Sequence, residues 1–352
     1  MNICKIKTNP NPSFKGCLGN SNYLIANSNN HELSITETHF MRDLGTLDFC
    51  ANYLKNNFPQ GTHVANPGCS YGYETYSLGT LLSDVNQKNI YKITGYDIAI
   101  DVIEEAKLAL FKIGGTESPS EKFLTQSYWK KLTPVEENAK RLFEKSLEEI
   151  PPKWLGFNVC NPRYKTKAKK VIPNNFDYDL SVKRLEAINT VTNKSLWRMG
   201  GKFFIPKQGG FDDVIDFKTA DIKNLKEVLP KQETGLIIFK NALYHLFVNL
   251  KENNHEQINH DIAEDLFSKV SAMLPVKGIF ALGTRQYDHL YFVSQSEINT
   301  LPASKKNAKM ITSSPVHKIL RKLGFEPVFF DLTCSSNLNL SLPSVWRKAR
   351  QL

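Results

Sequence analysis

Apolar residues along this chain follow two rhythms, one of strands and one of helices, and the two alternate. Thr62 to Asn66 is a short run of buried character that passes into a small-residue turn and then a helical pattern from about Glu74. Tyr91 to Tyr96 repeats the theme, with Ile100, Ile103, Ala106 and Leu110 recurring at helical spacing straight after it. Val214 to Ala220 alternates as a strand, and Gly235 to Phe239 and Gly278 to Leu282 are compact apolar runs. Between the last two, Ile258, Ile262, Leu266 and Val270 mark one face of a helix. Pro315 to Leu323 reads as a short amphipathic helix stopped at Gly324, leading into a strand-like Pro327 to Leu332. Strands alternating with helices predict a Rossmann-like, doubly wound α/β fold whose mostly parallel sheet is covered on both faces.

Two stretches break the rhythm. Residues 1–34 are rich in Asn, Ser and Pro with little hydrophobic period, which predicts a tail or irregular wrap too short for a domain. Residues 113–211 are highly charged, carry Pro151 beside Pro152 and show no dominant period, so they read as a large, partly helical insertion. The α/β domain is thereby divided into a first half, 35–112, and a second half, 212–352.

Composition narrows the class. With 41% hydrophobic and 23% charged residues the chain is ordinary globular material. No run approaches the about 18 apolar residues of a spanning helix, and the N-terminus lacks the apolar core of a secretory signal, so the expectation is a protein with no membrane span in the cytoplasm. Cys4, Cys17, Cys50, Cys69, Cys160 and Cys334 show no paired spacing, which suits neither a disulfide framework nor a zinc set, and no metal is expected. A formal charge of +10 fits either a polyanionic partner or a solvated lysine-rich surface.

In an open parallel sheet, ligands sit outside the carboxyl ends of the strands, where strand order reverses. The turn there is Asn66-Pro67-Gly68-Cys69-Ser70-Tyr71-Gly72-Tyr73-Glu74. Gly68 and Gly72 can adopt backbone angles closed to other residues and let a ligand lie against the main chain, with anionic groups meeting the helix N-terminus. The turn lacks the G-K-[ST] of a P-loop, which disfavours nucleoside triphosphate chemistry. Asp97, at the next strand end, can accept both hydroxyls of a ribose; the plain alternative is a helix N-cap.

Ile35-Thr36-Glu37-Thr38-His39-Phe40-Met41-Arg42-Asp43, followed by Pro67 to Leu78, resembles the CheR family of protein-glutamate methyltransferases. The family pattern is T-x-F-F-R-[ED], then [AS]-x-[SC]-x-G-E-E-x-Y-S, then S-D-I at a strand end. Phe40, Arg42, Gly72, Glu74, Tyr76, Ser77, Asp97 and Ile98 match it. Downstream, Phe217 to Ile222 resembles F-x-x-x-N-L with Asp221 in place of Asn, Phe239 to His245 resembles C-R-N-V-[LM]-I-Y, and Gly278 to Gly283 resembles G-x-L-x-x-G. The likeness covers Ile35 to Ile113 and Asp212 to Leu290.

The resemblance implies the seven-stranded class I methyltransferase fold, with S-adenosyl-L-methionine as cofactor. Carried over position by position, it implies a cofactor site of Thr36, Thr38, Arg42, Gly68, Gly72, Glu74, Asp97, Ile98, Asp221, Ile222, Lys240 and Asn241, where Thr36 stands in place of the family's Asn. For catalysis it points to Arg42, Tyr244 and His245: the family's Tyr near the transferred methyl is His245 here, with Tyr244 one place earlier. His245 as a packing residue and Arg42 in an ion pair with Asp43 or another acid are the alternatives.

Methyl transfer from a sulfonium is an in-line displacement, and a glutamate is already ionised at neutral pH, so no general base is required. Chemotaxis enzymes carry a basic helical domain ahead of the catalytic one, and too few residues precede Ile35 for it. The acceptor is therefore expected to be an acidic protein surface met by the insertion, through Arg163, Lys165, Lys167, Lys169 and Lys170. A nucleic acid is the less favoured partner, since no ladder of stacking aromatics is evident. The sequence leaves oligomeric state open, and two rival functions stand: methylation of a small molecule or RNA, and an inactive S-adenosylmethionine-binding sensor.

Overall fold

The computed structural model describes residues 24–26, 32–34, 39–84, 90–115, 122–125, 131–150, 200–207, 210–229, 233–240, 248–250, 256–258, 260–283, 314–328 and 344–350. In chain order the strands are β1 (Leu24–Ala26), β2 (Glu32–Ser34), β3 (Thr62–Pro67), β4 (Tyr91–Asp97), β5 (Phe111–Gly115), β6 (Leu147–Glu149), β7 (Gly200–Pro206), β8 (Ile215–Thr219), β9 (Thr234–Phe239), β10 (Val248–Leu250), β11 (Glu256–Ile258), β12 (Ile279–Leu282), β13 (Phe325–Val328) and β14 (Val345–Lys348). The helices are α1 (Leu44–Asn57), α2 (Tyr73–Leu82), α3 (Ile100–Lys107), α4 (Lys122–Thr125), α5 (Pro134–Ser146), α6 (Leu225–Val228), α7 (His260–Met273) and α8 (Pro315–Lys322).

Two compact units emerge. The first to consider, residues 43–69, 81–98 and 213–352, is built on a seven-stranded sheet of order β13-β14-β12-β9-β3-β4-β8. β8, β4, β3, β9 and β12 run parallel in successive pairs, and β14 is antiparallel to both its neighbours. From β3 the chain adds β4 and β8 on one side, then returns to place β9 and β12 on the other, so strand order reverses between β3 and β9. This is the Rossmann-like order expected from the alternating pattern.

Alternation along the strands divides the core. Ile237, Phe239, Phe280 and Leu282 join Leu266, Phe267 and Val270 of α7 and Val316 and Leu320 of α8 in one cluster. The intervening Leu236, Ile238, Ile279 and Ala281 are equally buried and face the other way. α1 packs against β9 and β12, and its Leu47, Cys50 and Leu54 lie outside that cluster, so both faces of the central strands are covered. α8 starts cleanly because Pro315 takes the first position and the Ser314 hydroxyl accepts from the His317 amide at 3.3 Å.

The other unit takes residues 1–42, 70–80 and 99–212. Within it the insertion carries more than helix: β5, β7 and β6 form an antiparallel three-stranded sheet with β7 central. α5 is fixed at its start by a full capping box, in which the Thr133 hydroxyl accepts from the Glu136 amide and the Glu136 carboxylate from the Thr133 amide. An aromatic cluster of Phe40, Tyr73, Tyr76, Phe111, Phe143, Phe204 and Phe211 holds this unit, with ring centroids 4.8–5.6 Å apart in tilted and edge-on pairs. In the tail region, β1 and β2 pair as an antiparallel hairpin. The basic run from Arg163 to Lys170 lies outside the described residues.

Candidate functional site

The carboxyl ends of β3, β4, β8 and β9 bring part of the sequence-derived site together by backbone geometry alone. β3 and β4 keep register to their tips, where Pro67 stands opposite Tyr96. The ladder continues past the strand end, as the Cys69 amide donates to the Tyr96 carbonyl at 3.0 Å. This tethers the Gly68 turn beside Asp97. On the other flank, Asp97 is paired with Thr219, and its carbonyl accepts from the Ala220 amide at 2.9 Å, which draws Asp221 to the same edge.

The first turn is conformationally demanding. Gly68, Ser70 and Gly72 all have positive φ, 70°, 50° and 77°, which returns the chain sharply and exposes main chain at Gly68. Gly95 serves a different need. A Cβ there would sit 2.6 Å from the Phe217 ring and 2.9 Å from the Cys69 sulfur, so the missing side chain lets β3, β4 and β8 close together under the turn. The approach of Phe217 and Cys69 to Gly95 is not distinguishable in sequence; only the register makes Gly95 special.

Asp97 itself is half-buried and is not a helix cap, because Ala99 occupies the N-cap position of α3. Ile98 is 67% exposed. Asp221 has one oxygen committed, since Oδ1 accepts from the Lys223 amide at 2.9 Å and starts the 3-10 turn Ile222–Asn224. Ile222 is in the core cluster.

Lys240, just past β9, is the strongest electrostatic feature of this edge. Its side chain is fully buried and its Nζ lies 3.4 Å from Asp43 Oδ2. Asp43 is the N-cap residue of α1, in the left-handed region at φ 53°, yet its carboxylate makes no cap bond. The carboxylate that sequence offered as a partner for Arg42 is thus within ion-pair distance of the lysine beneath the β9 tip.

Arg42, Gly72 and Glu74 belong to the other compact unit. Arg42 is half-buried, and Glu74 lies in the first turn of α2. Thr36, Thr38, Asn241, Tyr244 and His245 lie outside the described residues. A cavity of about 530 Å³ runs along β4 and β8 and is lined by His63, Lys92, Thr94, Tyr96, Asp216 and Lys218 among others; none of Gly68, Asp97, Asp221 or Lys240 lines it. Among the described residues no cluster of His, Cys, Asp and Glu could hold a metal ion, and Cys50 and Cys69 are buried and form no disulfide.

The residues at the sheet edge fit a nucleoside. A carboxylate at the tip of the strand beside the switch point can accept ribose hydroxyls, and open main chain at Gly68 admits a ligand against the backbone. Residues 36–146 match the family model of the CheR methyltransferase, SAM binding domain. The matched stretch is similar to that domain and spans less than half of the chain. Together with a sheet of this strand order, the match supports a CheR-like, S-adenosylmethionine-dependent methyltransferase.

No curated protein matches the chain. Among solved structures, the chain is similar to a protein from Methanococcus maripaludis described as an S-adenosyl-L-methionine-dependent methyltransferase, at 12% identity over 86% of this chain and 84% of that one, with a TM-score of 0.33. It is also similar to a protein from Galdieria sulphuraria described as a sarcosine dimethylglycine methyltransferase, at 9% identity, 81% and 63% coverage and a TM-score of 0.33. A third is the DszA carbon methyltransferase, at 12% identity, 88% and 54% coverage and a TM-score of 0.37. The chain spans less than two thirds of the last two, and at these scores the fold rests on the strand order rather than on the likenesses.

Proposed function

We propose that the protein transfers the methyl group of S-adenosylmethionine to a carboxylate of an acidic protein, with a glutamate side chain as acceptor. The observation that carries this reading is Asp97, presented at the tip of β4 with its carbonyl bonded to the Ala220 amide and its neighbour Tyr96 bonded to the Cys69 amide, within the stretch that matches the CheR model.

When bound, the sulfonium supplies an electrophilic methyl group. Asp97 would hold the ribose, and the turn at Gly68 would give room against the main chain. Arg42 orients the acceptor carboxylate through two parallel hydrogen bonds. The acceptor is an anion at neutral pH, so no residue has to remove a proton. Alignment of the two reactants supplies the rate, and orientation of this kind is worth on the order of 7–11 kcal/mol. The insertion, with its basic run, meets the acidic surface, and the cytoplasm is the compartment that free cysteines suit.

The test is incubation of the full chain with methyl-labelled S-adenosylmethionine and cell extract. The expected product is a labelled protein whose label is released by mild base as methanol. Label that survives base would replace the carboxylate by a nitrogen or ring hydroxyl, and label in RNA or small molecules would move the acceptor class. The substitution of His245 for the family Tyr favours one further reading, an inactive sensor. That reading predicts S-adenosylmethionine binding in calorimetry with no labelled product in any fraction.

A further inference from the structure

We propose that Ser77 is a positioning residue for Arg42, acting through the backbone of Met41. The inference rests on the reading that Arg42 serves the S-adenosylmethionine site.

The turn that carries Arg42 has left-handed backbone on both sides, strained at Met41. Met41 and Asp43 have φ of 55° and 53°, so two non-glycine residues flanking one arginine lie in the left-handed region. Aspartate tolerates this region better than most residues, but Met41 has no such local advantage, and its conformation persists only where the surroundings over-determine it. At Met41 the surroundings are visible. Its amide, buried with the residue at 1% exposure, donates to Ser77 Oγ at 2.7 Å. That hydroxyl in turn donates to the Tyr73 carbonyl at 2.7 Å, four residues back on its own helix.

The Tyr73 bond spends the Ser77 proton and so fixes the direction of the oxygen lone pairs, one of which the Met41 amide uses. Serine is a weak helix former, and its presence at a fully buried point of α2 is accounted for by this bond. Phe40, at 0% exposure, packs on Phe111 and Phe143 and anchors the turn from the side preceding Met41. The Arg42 amide closes the turn on the His39 carbonyl at 3.3 Å. Between a buried aromatic anchor and a buried hydroxyl clamp, half-buried Arg42 leaves the turn in one direction. Without the hydroxyl, the Met41 amide would be buried with no acceptor, and the turn would relax toward right-handed angles that redirect the arginine.

The experiment is a double-mutant cycle on the full chain, with S-adenosylmethionine affinity read by titration calorimetry and folding by thermal melting. Ser77→Ala is expected to weaken binding about tenfold and Arg42→Ala at least as much, while the double variant is no weaker than Arg42→Ala within about threefold, because a residue acting through another is non-additive with it. Ser77→Thr, which keeps the hydroxyl, is expected to bind as wild type does. Should Ser77→Ala fail to melt cooperatively, Ser77→Cys, close in volume and a weaker acceptor, replaces it in the cycle. Additive losses, wild-type affinity in the serine variant, or a threonine variant as weak as alanine would each overturn the proposal. Wild-type affinity in Arg42→Ala overturns it at its premise and leaves the methyltransferase reading standing, whereas no binding by the wild-type chain removes both.

Discussion

At the scale of single residues, two positions in the sheet unit show how context reassigns ordinary side chains. His63 lies on β3 with both ring nitrogens occupied, Nδ1 at 3.2 Å from Thr234 Oγ1 and Nε2 at 3.0 Å from Thr94 Oγ1. Burial, with the charge of Lys218 adding to it, lowers its pKa to about 4. The folded protein therefore resists a proton that the unfolded chain accepts near pH 6.5, so stability is full above that value and falls as pH drops toward 4. The loss is at most about 3 kcal/mol. Chemical denaturation at pH 7 and at pH 4.5 should show that loss in wild type and a smaller one in His63→Gln. Gly95→Ala places a methyl group against the Phe217 ring and the Cys69 sulfur, and overpacking of this kind costs about 1–3 kcal/mol. A melt unchanged by Gly95→Ala would show that the strands can part without cost. Neither effect was legible in sequence, where His63 is one polar residue at a strand start and Gly95 one glycine in a strand.

At the scale of elements, helix ends are closed in contrasting ways. α5 carries its own signal in sequence, Thr-Pro-x-Glu, and the structure shows the capping box that such a string encodes. α7 has no basic residue in its last turn, and its closing carbonyls are served from far along the chain. Lys348 on β14, 4% exposed, donates from Nζ to the Ser271 carbonyl at 2.5 Å and to the Leu274 carbonyl at 2.9 Å. Burial lowers the lysine's pKa, yet the ammonium sits where the partial negative charge of the helix terminus accumulates. Lys348→Met keeps the length of the side chain and removes both donors. It should destabilise the sheet unit by about 2 kcal/mol, since two buried carbonyls lose a charged partner. Equal denaturant midpoints for variant and wild type would refute that role. β14 escaped the sequence reading because its four residues, Val345–Lys348, alternate too briefly for a period to show.

At the scale of the whole molecule, the ribose contact proposed for Asp97 would make cofactor binding a stability term. Ligand at about one hundred times its dissociation constant stabilises a folded site by about 2.7 kcal/mol. S-adenosylmethionine should raise the melting midpoint of wild type by several degrees and leave that of Asp97→Ala where it was without ligand. A variant that shifts as wild type does would remove Asp97 from the site. The order of strands and helices was readable from the chain because apolar periodicity is a local property, set by which residues must face a core. The Gly68 turn and Asp97 could likewise be named as a pair, since the rule that ligands bind at strand carboxyl ends needs only the sequence of elements. Sequence did not foretell the ladder that continues through Cys69 and Ala220 to hold these tips together, nor the approach of Asp43 to Lys240. Those depend on register and on contacts between residues distant along the chain, about 200 positions apart for the ion pair, and only a closed sheet sets such distances.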